Sequence, residues 1–199
     1  MGAVFDRIGE AYEQAFSDRE AQLGLGRDLI SRLPPQARVL DHGCGAGFPT
    51  ARQLAAAGLA VLGVDESERM LRLARERVPV ARFEQRDLRD LDPGLGTFDA
   101  VTSFFALLML SRADISRVLT GLAARIREGG LLALGMVAGD FDAVEIEFLG
   151  VPMAVSAYPT PELSAVVAAA GFDVLQCDEV QVPGAGSTET QQFLLARRR

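Results

Sequence analysis

A chain of 199 residues with 49% hydrophobic and 24% charged side chains has the composition of one globular domain with a substantial core. Its net charge of −7 argues against a broad nucleic-acid footprint, and its one basic run, Arg197-Arg198-Arg199, reads as a solvated tail. Two cysteines make no disulfide framework and one histidine makes no zinc cluster, so a reduced cytoplasmic protein without a metal site is expected.

The start, Met1 to Asp6, lacks a basic-then-apolar leader, and Asp6 spoils a myristoylation pattern. The longest apolar run, near Phe104 to Leu110, is too short to span a bilayer, so no membrane association is expected. Phe5, Ile8, Tyr12 and Phe16 share one helical face. Ser17-Asp18-Arg19-Glu20 reads as a capping box for a second helix carrying Leu23, Leu29, Ile30 and Leu33, ended by Pro34-Pro35.

Val39-Leu40-Asp41 then reads as the end of a buried strand, followed by Gly43, Gly45 and Gly47 at alternate positions. Pro49 suits the first turn of a helix that runs through Ala51, Leu54 and Ala55 towards Gly58. Glycines here let a ligand approach the backbone, and the helix start offers free N–H groups. The dinucleotide fingerprint needs G-x-G-x-x-G, but here the third glycine comes one residue early and Phe48 stands where that pattern wants glycine. Asp41, two residues before the first glycine, would repel a pyrophosphate but can accept hydrogen bonds from an ammonium group. The pattern D-x-G-x-G-x-G therefore points to a zwitterionic amino-acid tail.

This stretch resembles motif I of the class I S-adenosylmethionine-dependent methyltransferases. The resemblance implies that Asp41 holds the ammonium of S-adenosylmethionine and that Gly43, Cys44, Gly45 and Gly47 contact its amino-acid end and ribose. It also makes Phe5 to Ile8 with Tyr12 a helical lid, with Tyr12 touching cofactor or substrate.

Ala60 to Asp65 reads as a second parallel strand ending in an acid about 20 residues past the glycines, as ribose recognition requires. Asp65, with Glu66 beside it, is the expected ribose ligand; the plainer reading is a cap for a helix over Ser67 to Arg77, and one carboxylate can do both. By the resemblance, Met70 packs on the adenine; a core methionine is the plainer reading. Val80 to Glu84 is a third strand, after which Asp87 and the Leu88 backbone resemble motif III and are expected at the adenine. Phe98 to Ser103 is a fourth strand resembling motif IV, which places Ser103 and Phe104 at the cofactor and Phe104 to Leu110 over the reaction centre. Ser111 to Asp114 opens a helix striped by Ile115, Val118, Leu119, Leu122 and Ile126, closed by Glu128-Gly129-Gly130 before a strand from Leu131 to Val137.

Gly139 to Tyr158 is the least regular stretch, leaves a strand at its carboxyl end, and is the expected substrate wall. Thr160 to Leu163 caps and starts a helix stopped by Gly171. Two strands, Phe172 to Val182 and Gln191 to Arg197, then close the chain as a hairpin.

Transfer from a sulfonium is an in-line displacement, and a base is needed only if the acceptor arrives protonated. Small-molecule relatives often carry histidines at the positions of Leu108 to Arg112 and Ser156-Ala157, and this chain has none there. His42, inside motif I, is expected to point away from the cofactor, leaving Glu145, Glu147 and Tyr158 as candidate catalytic groups.

The reading is an α/β fold: a Rossmann-like, doubly wound, seven-stranded sheet, mostly parallel with a C-terminal antiparallel hairpin strand and an N-terminal helical lid. It divides one domain, 1–199, into a lid (1–35), a cofactor-binding half (36–138) and a substrate wall with the closing hairpin (139–199). The expected activity is methyl transfer from S-adenosylmethionine to O or N of a small-molecule acceptor, leaving S-adenosylhomocysteine. The alternative is a repurposed fold that binds the cofactor but catalyses a cyclisation or rearrangement, or only binds. The sequence leaves a homodimer open and implies no nucleic-acid partner.

Overall fold

The computed structural model describes residues 18–183 and 188–199. The lid segment with Phe5, Ile8, Tyr12 and Phe16, and Ser17 of the expected capping box, lie outside them. The strands are β1 (Arg38–His42), β2 (Ala60–Asp65), β3 (Arg82–Gln85), β4 (Phe98–Phe104), β5 (Ile126–Val137), β6 (Phe141–Phe148), β7 (Val151–Ala157), β8 (Phe172–Pro183) and β9 (Thr188–Arg198). The helices are α1 (Glu20–Ser31), α2 (Thr50–Ala56), α3 (Glu68–Arg77), α4 (Arg112–Arg125) and α5 (Thr160–Ala169).

Seven strands form one sheet in the order β3-β2-β1-β4-β5-β9-β8. β1, β2, β3, β4 and β5 pair in parallel, and β9 runs antiparallel to both β5 and β8. This is the doubly wound sheet with a closing antiparallel strand that the sequence implies. The chain steps outward from β1 through β2 to β3, then returns to the other side of β1 as β4. Where the order reverses, the connections leave β1 and β4 in opposite directions, and a crevice opens at their carboxyl ends.

Both faces of the sheet are covered, which is why the inner strands read as unbroken apolar runs. Leu25 and Leu29 of α1, Leu54 of α2 and Leu71 of α3 pack with Val39, Val61 and Leu195 on one face. On the other, Ile115, Val118, Leu119 and Leu122 of α4 and Leu163 and Val167 of α5 pack with Leu40, Val101, Leu132 and Phe172. No helix among the described residues is long and apolar enough to cross a membrane.

Several boundaries differ from the sequence reading. At α1 the Glu20 N–H is taken by Asp18 Oδ1 at 3.0 Å, so an aspartate one position later serves the helix start. Ser67, not Asp65, caps α3 by accepting from the Met70 N–H at 3.1 Å. Pro159 precedes α5, and the Thr160 hydroxyl bonds Glu179 rather than capping. Helix α4 ends at Arg125, before Glu128-Gly129-Gly130. Ile126 already pairs with Phe98, and the register then shifts to Ala100 against Leu131, so the two glycines absorb a bulge within a longer β5.

The largest difference lies between Gly139 and Tyr158. This stretch is regular: β6 and β7 form an antiparallel two-stranded sheet of their own. Mixed acids and apolar residues hid a period of two, because a register shift between Phe141 and Val144 breaks the alternation. Arg112 ties this hairpin to the body. Its guanidinium bonds the Ala157 carbonyl at 3.0 Å and Asp140 at 2.8 Å, and its N–H donates to Asp142 at 2.8 Å.

Candidate active site

Asp41 is the penultimate residue of β1 and is almost fully buried. Its Oδ1 accepts from the Thr102 hydroxyl of β4 at 2.8 Å, while its buried Oδ2 has no hydrogen-bond partner. Burial pushes the carboxyl up to about 7. The Thr102 hydroxyl opposes that rise, nearby Asp65 adds to it, and the Ala51 N–H at the start of α2 approaches without hydrogen-bond geometry and lowers it a little. An orphaned buried oxygen of this kind is costly unless a donor arrives.

The glycine loop is pinned from beneath. The N–H groups of Gly43 and Cys44 both donate to the Val64 carbonyl, at 2.8 and 3.0 Å, and the Gly45 N–H donates to Asp65 Oδ2 at 2.9 Å. Asp65 Oδ1 accepts from the Ser67 N–H at 2.9 Å. Burial raises the Asp65 carboxyl, the backbone N–H groups oppose that rise, and the side chain lines the crevice. A Cβ built on Gly45 would meet nothing within 4 Å, so the loop presents bare backbone to open space.

The crevice is lined by Asp41, Gly43, Cys44, Gly45, Asp65, Glu66, Met70, Leu88 and Phe104, all expected from the sequence. Three expected residues stand elsewhere. Gly47 packs against α3, where a Cβ would sit 3.2 Å from the Ala74 Cβ. Ser103 is fully buried behind the crevice, its Oγ 3.4 Å from His42 Nδ1. Asp87 binds Arg89 through side chain and backbone, and this arginine holds its carboxyl below the usual range. Tyr12 lies outside the described residues.

His42 faces away from the crevice, as expected. Its Nε2 is 2.8 Å from the Leu88 carbonyl, and burial pushes the imidazole down to about 4. A neutral ring donates there and ties the loop after β3 to β1. The Leu88 N–H donates to Glu66 at 3.3 Å, so both backbone groups of Leu88 are engaged. Burial, helped by Asp41 and Asp65, raises the Cys44 thiol well above its ordinary value, so it stays protonated.

Beside the crevice lies a larger, mostly apolar cavity of about 480 Å³. Its walls come from Phe105, Leu108 and Met109, from Ile146, Phe148, Met153 and Val155 of the β6–β7 hairpin, and from Val180, Val182 and Phe193. The two spaces share Arg19, Gln22, Phe105 and Met109, which therefore mark their junction.

The three candidate catalytic groups are not in it. Strand alternation turns Ile146 and Phe148 into the cavity and Glu145 and Glu147 onto the outer, exposed face of the hairpin. Tyr158 is buried in the core; its hydroxyl donates to the Arg112 carbonyl at 3.1 Å and its ring lies 4.5 Å from the Arg112 guanidinium carbon. These positions give the general-base hypothesis no geometric footing. A structural Tyr158 predicts that Tyr158→Phe lowers unfolding stability by about 1 kcal/mol in denaturant titration and leaves cofactor affinity unchanged.

Phe105 and Met109 belong to the stretch expected over the reaction centre, whereas Arg19 and Gln22 were missed by the sequence reading. Gln22 is 6% exposed; its Nε2 donates to the Thr50 hydroxyl at 2.9 Å and its buried Oε1 has no partner. Its signal was a polar residue on the same helical face as Leu25 and Leu29. Phe105 adopts a left-handed φ of 57°, a costly conformation for an aromatic residue, which aims its ring between the two spaces.

The sequence model described as a methyltransferase domain matches residues 39–130. Methyltransferase GfsG of Streptomyces halstedii is 31% identical over 90% of this chain and 75% of its own length. The chain belongs to the class I S-adenosylmethionine-dependent methyltransferases. The magnesium-protoporphyrin O-methyltransferase of Rhodobacter capsulatus is 38% identical over 115 residues, 54% of this methyltransferase chain. The chain spans about half the length of that relative (50%). Among solved structures, the 1,6-didemethyltoxoflavin N1-methyltransferase of Burkholderia thailandensis, determined with S-adenosylhomocysteine, superposes with a TM-score of 0.75 at 23% identity. It covers 98% of this chain and 86% of its own and supports the fold. S-adenosylmethionine is thus the cofactor of this methyltransferase family, and the glycine loop beside an orphaned carboxylate oxygen fits the ammonium of its zwitterionic amino-acid end.

Proposed function

We propose that this chain methylates O or N of a small-molecule acceptor held in the apolar cavity. The observation that carries the reading is Asp41 Oδ2: a buried, unpartnered carboxylate oxygen beside a loop that shows only backbone at Gly45. Asp41 would receive the ammonium of S-adenosylmethionine, Gly43 to Gly45 its amino-acid end, Asp65 and Glu66 its ribose, and Met70 and Leu88 its adenine. Asp87 would join them only by releasing Arg89, and Tyr12 remains the lid residue proposed to close the site. The division into lid, cofactor half and substrate wall is proposed on the same basis. A cytoplasmic location is proposed from two free cysteines, Cys44 and Cys177.

When bound, the cofactor supplies a methyl group activated by its sulfonium. The chain then has three tasks. Gln22, Phe105 and Met109 orient the acceptor atom at the junction; the apolar walls exclude water; and the acceptor must present a nucleophile without help from Glu145, Glu147 or Tyr158. An acceptor acidic enough to ionise unaided, or a neutral amine, meets that demand. The relatives named above are methyltransferases, which disfavours the repurposed-fold alternative.

Isotope-labelled S-adenosylmethionine incubated with candidate acceptors tests the reading; label recovered only in unchanged cofactor would end it. Glu145→Gln and Glu147→Gln, singly or together, are expected to retain turnover within about twofold, as exposed substitutions remote from a site do. A loss of tenfold or more would return a base to the hairpin.

A further inference from the structure

Resting on that reading, we propose that the acceptor is elongated, with an apolar body and a hydrogen-bond donor, best a cationic amine, at the end remote from the methylated atom, received by Glu189 and Gln191. Both residues lie on β9 and face the cavity, as do Phe193 on the same strand and Val180 and Val182 on β8. Phe193 meets Phe105 edge to face at 5.9 Å, which places it beside the junction with the cofactor crevice. Glu189 is four residues back along the same face, roughly 13 Å away at the usual strand rise. Its carboxylate is therefore too distant to take a proton from the reacting atom and stands at the cavity's far end.

The pair is built to receive something. Gln191 is 6% exposed and its Nε2 donates to Glu189 Oε1 at 2.6 Å, which fixes the partly buried carboxylate against the apolar wall. Among the described residues no arginine pairs with Glu189. The other charges on the cavity rim are Asp18, Arg19, Glu20 and Arg27 at α1, and Arg27 is bonded to Glu20. A carboxylate held beside apolar walls gains most from a charged donor, less from a hydroxyl, and repels an anion.

The test uses three probes of one shape: 4-phenylbutylamine, 4-phenylbutan-1-ol and 4-phenylbutanoate. Each is titrated calorimetrically into the protein with and without saturating S-adenosylhomocysteine. The amine should bind at least about tenfold tighter than the carboxylate, the alcohol falling between. Glu189→Gln should bring the three within about threefold of one another. Val155→Trp, which fills the cavity, should abolish all three heats and leave S-adenosylhomocysteine binding intact. Equal or carboxylate-preferring binding, an order unmoved by Glu189→Gln, or no binding by any probe overturns the proposal. A missing S-adenosylhomocysteine heat alone would strike the proposed function and leave the probe order to be read by itself.

Discussion

Replacing Asp41 with asparagine should weaken S-adenosylhomocysteine binding on the order of 10- to 100-fold while the protein stays folded. Asparagine keeps an oxygen for the Thr102 hydroxyl, which now bonds Oδ1 at 2.8 Å, so the contact between β1 and β4 survives. What changes is the other atom. Where the buried Oδ2 waits without a donor, the variant puts an N–H₂ group that faces the ligand's ammonium as donor against donor. A charge-assisted bond is lost and a desolvated mismatch takes its place, which sets the expected size. Calorimetry at pH 7.5 measures it; unchanged affinity would remove Asp41 from the site.

The same carboxyl gives a pH signature. Its value is raised from 3.8 to about 7, so between those values the folded protein without ligand holds a proton that the unfolded chain has released. Stability contributed by this group is therefore complete below pH 3.8 and is lost as pH rises through about 7, by at most about 4 kcal/mol. The wild type should lose stability relative to Asp41→Asn between pH 5 and 7.5 in parallel thermal melts. Ligand affinity should move the other way, rising severalfold from pH 5.5 to 7.5 as the carboxylate forms to meet the ammonium. Parallel melting curves across that range would show that Asp41 titrates normally.

Legibility in the sequence followed the range of the interactions. The strand-to-glycine turn at Asp41, the acid ending β2 and the apolar stripe of α4 are local patterns, and each names its element from a few adjacent residues. The sheet order followed because alternating strands and helices leave few ways to wind. Side-chain direction was harder. Glu145 and Glu147 read as candidate bases on the substrate wall, but the register of β6 against β7 turns them outward, and that register depends on a shift no short window shows. Asp87 follows β3 as the motif asks, but Arg89, two residues on, holds its carboxylate away from the crevice. Gln22 and Glu189 were invisible for a different reason: they meet the site from the two ends of the chain, α1 and β9, and only the closed sheet brings those ends to one cavity.

Gly43→Ala should be strongly damaging, and Ala106→Gly should undo part of the damage. Gly43 has a φ of +76°, and a Cβ built there would stand 2.2 Å from the Ala106 Cβ but 3.6 Å from its Cα. The overlap is thus with one methyl group, on the segment that carries Phe105 and Met109. The left-handed backbone alone costs about 1 kcal/mol for alanine, and the clash adds about as much again or more. Relief by moving the segment would shift the junction between crevice and cavity, and a displacement near 1 Å there lowers turnover by about 100-fold. Adding Ala106→Gly removes the colliding methyl and leaves only the backbone cost. The double variant should recover at least about 1 kcal/mol in denaturant titration relative to the additive expectation, together with most of the lost turnover. Strict additivity of the two substitutions would mean that the glycine loop and the Phe105 wall do not touch, and the crevice and the acceptor cavity would then not share the junction on which the proposed chemistry depends.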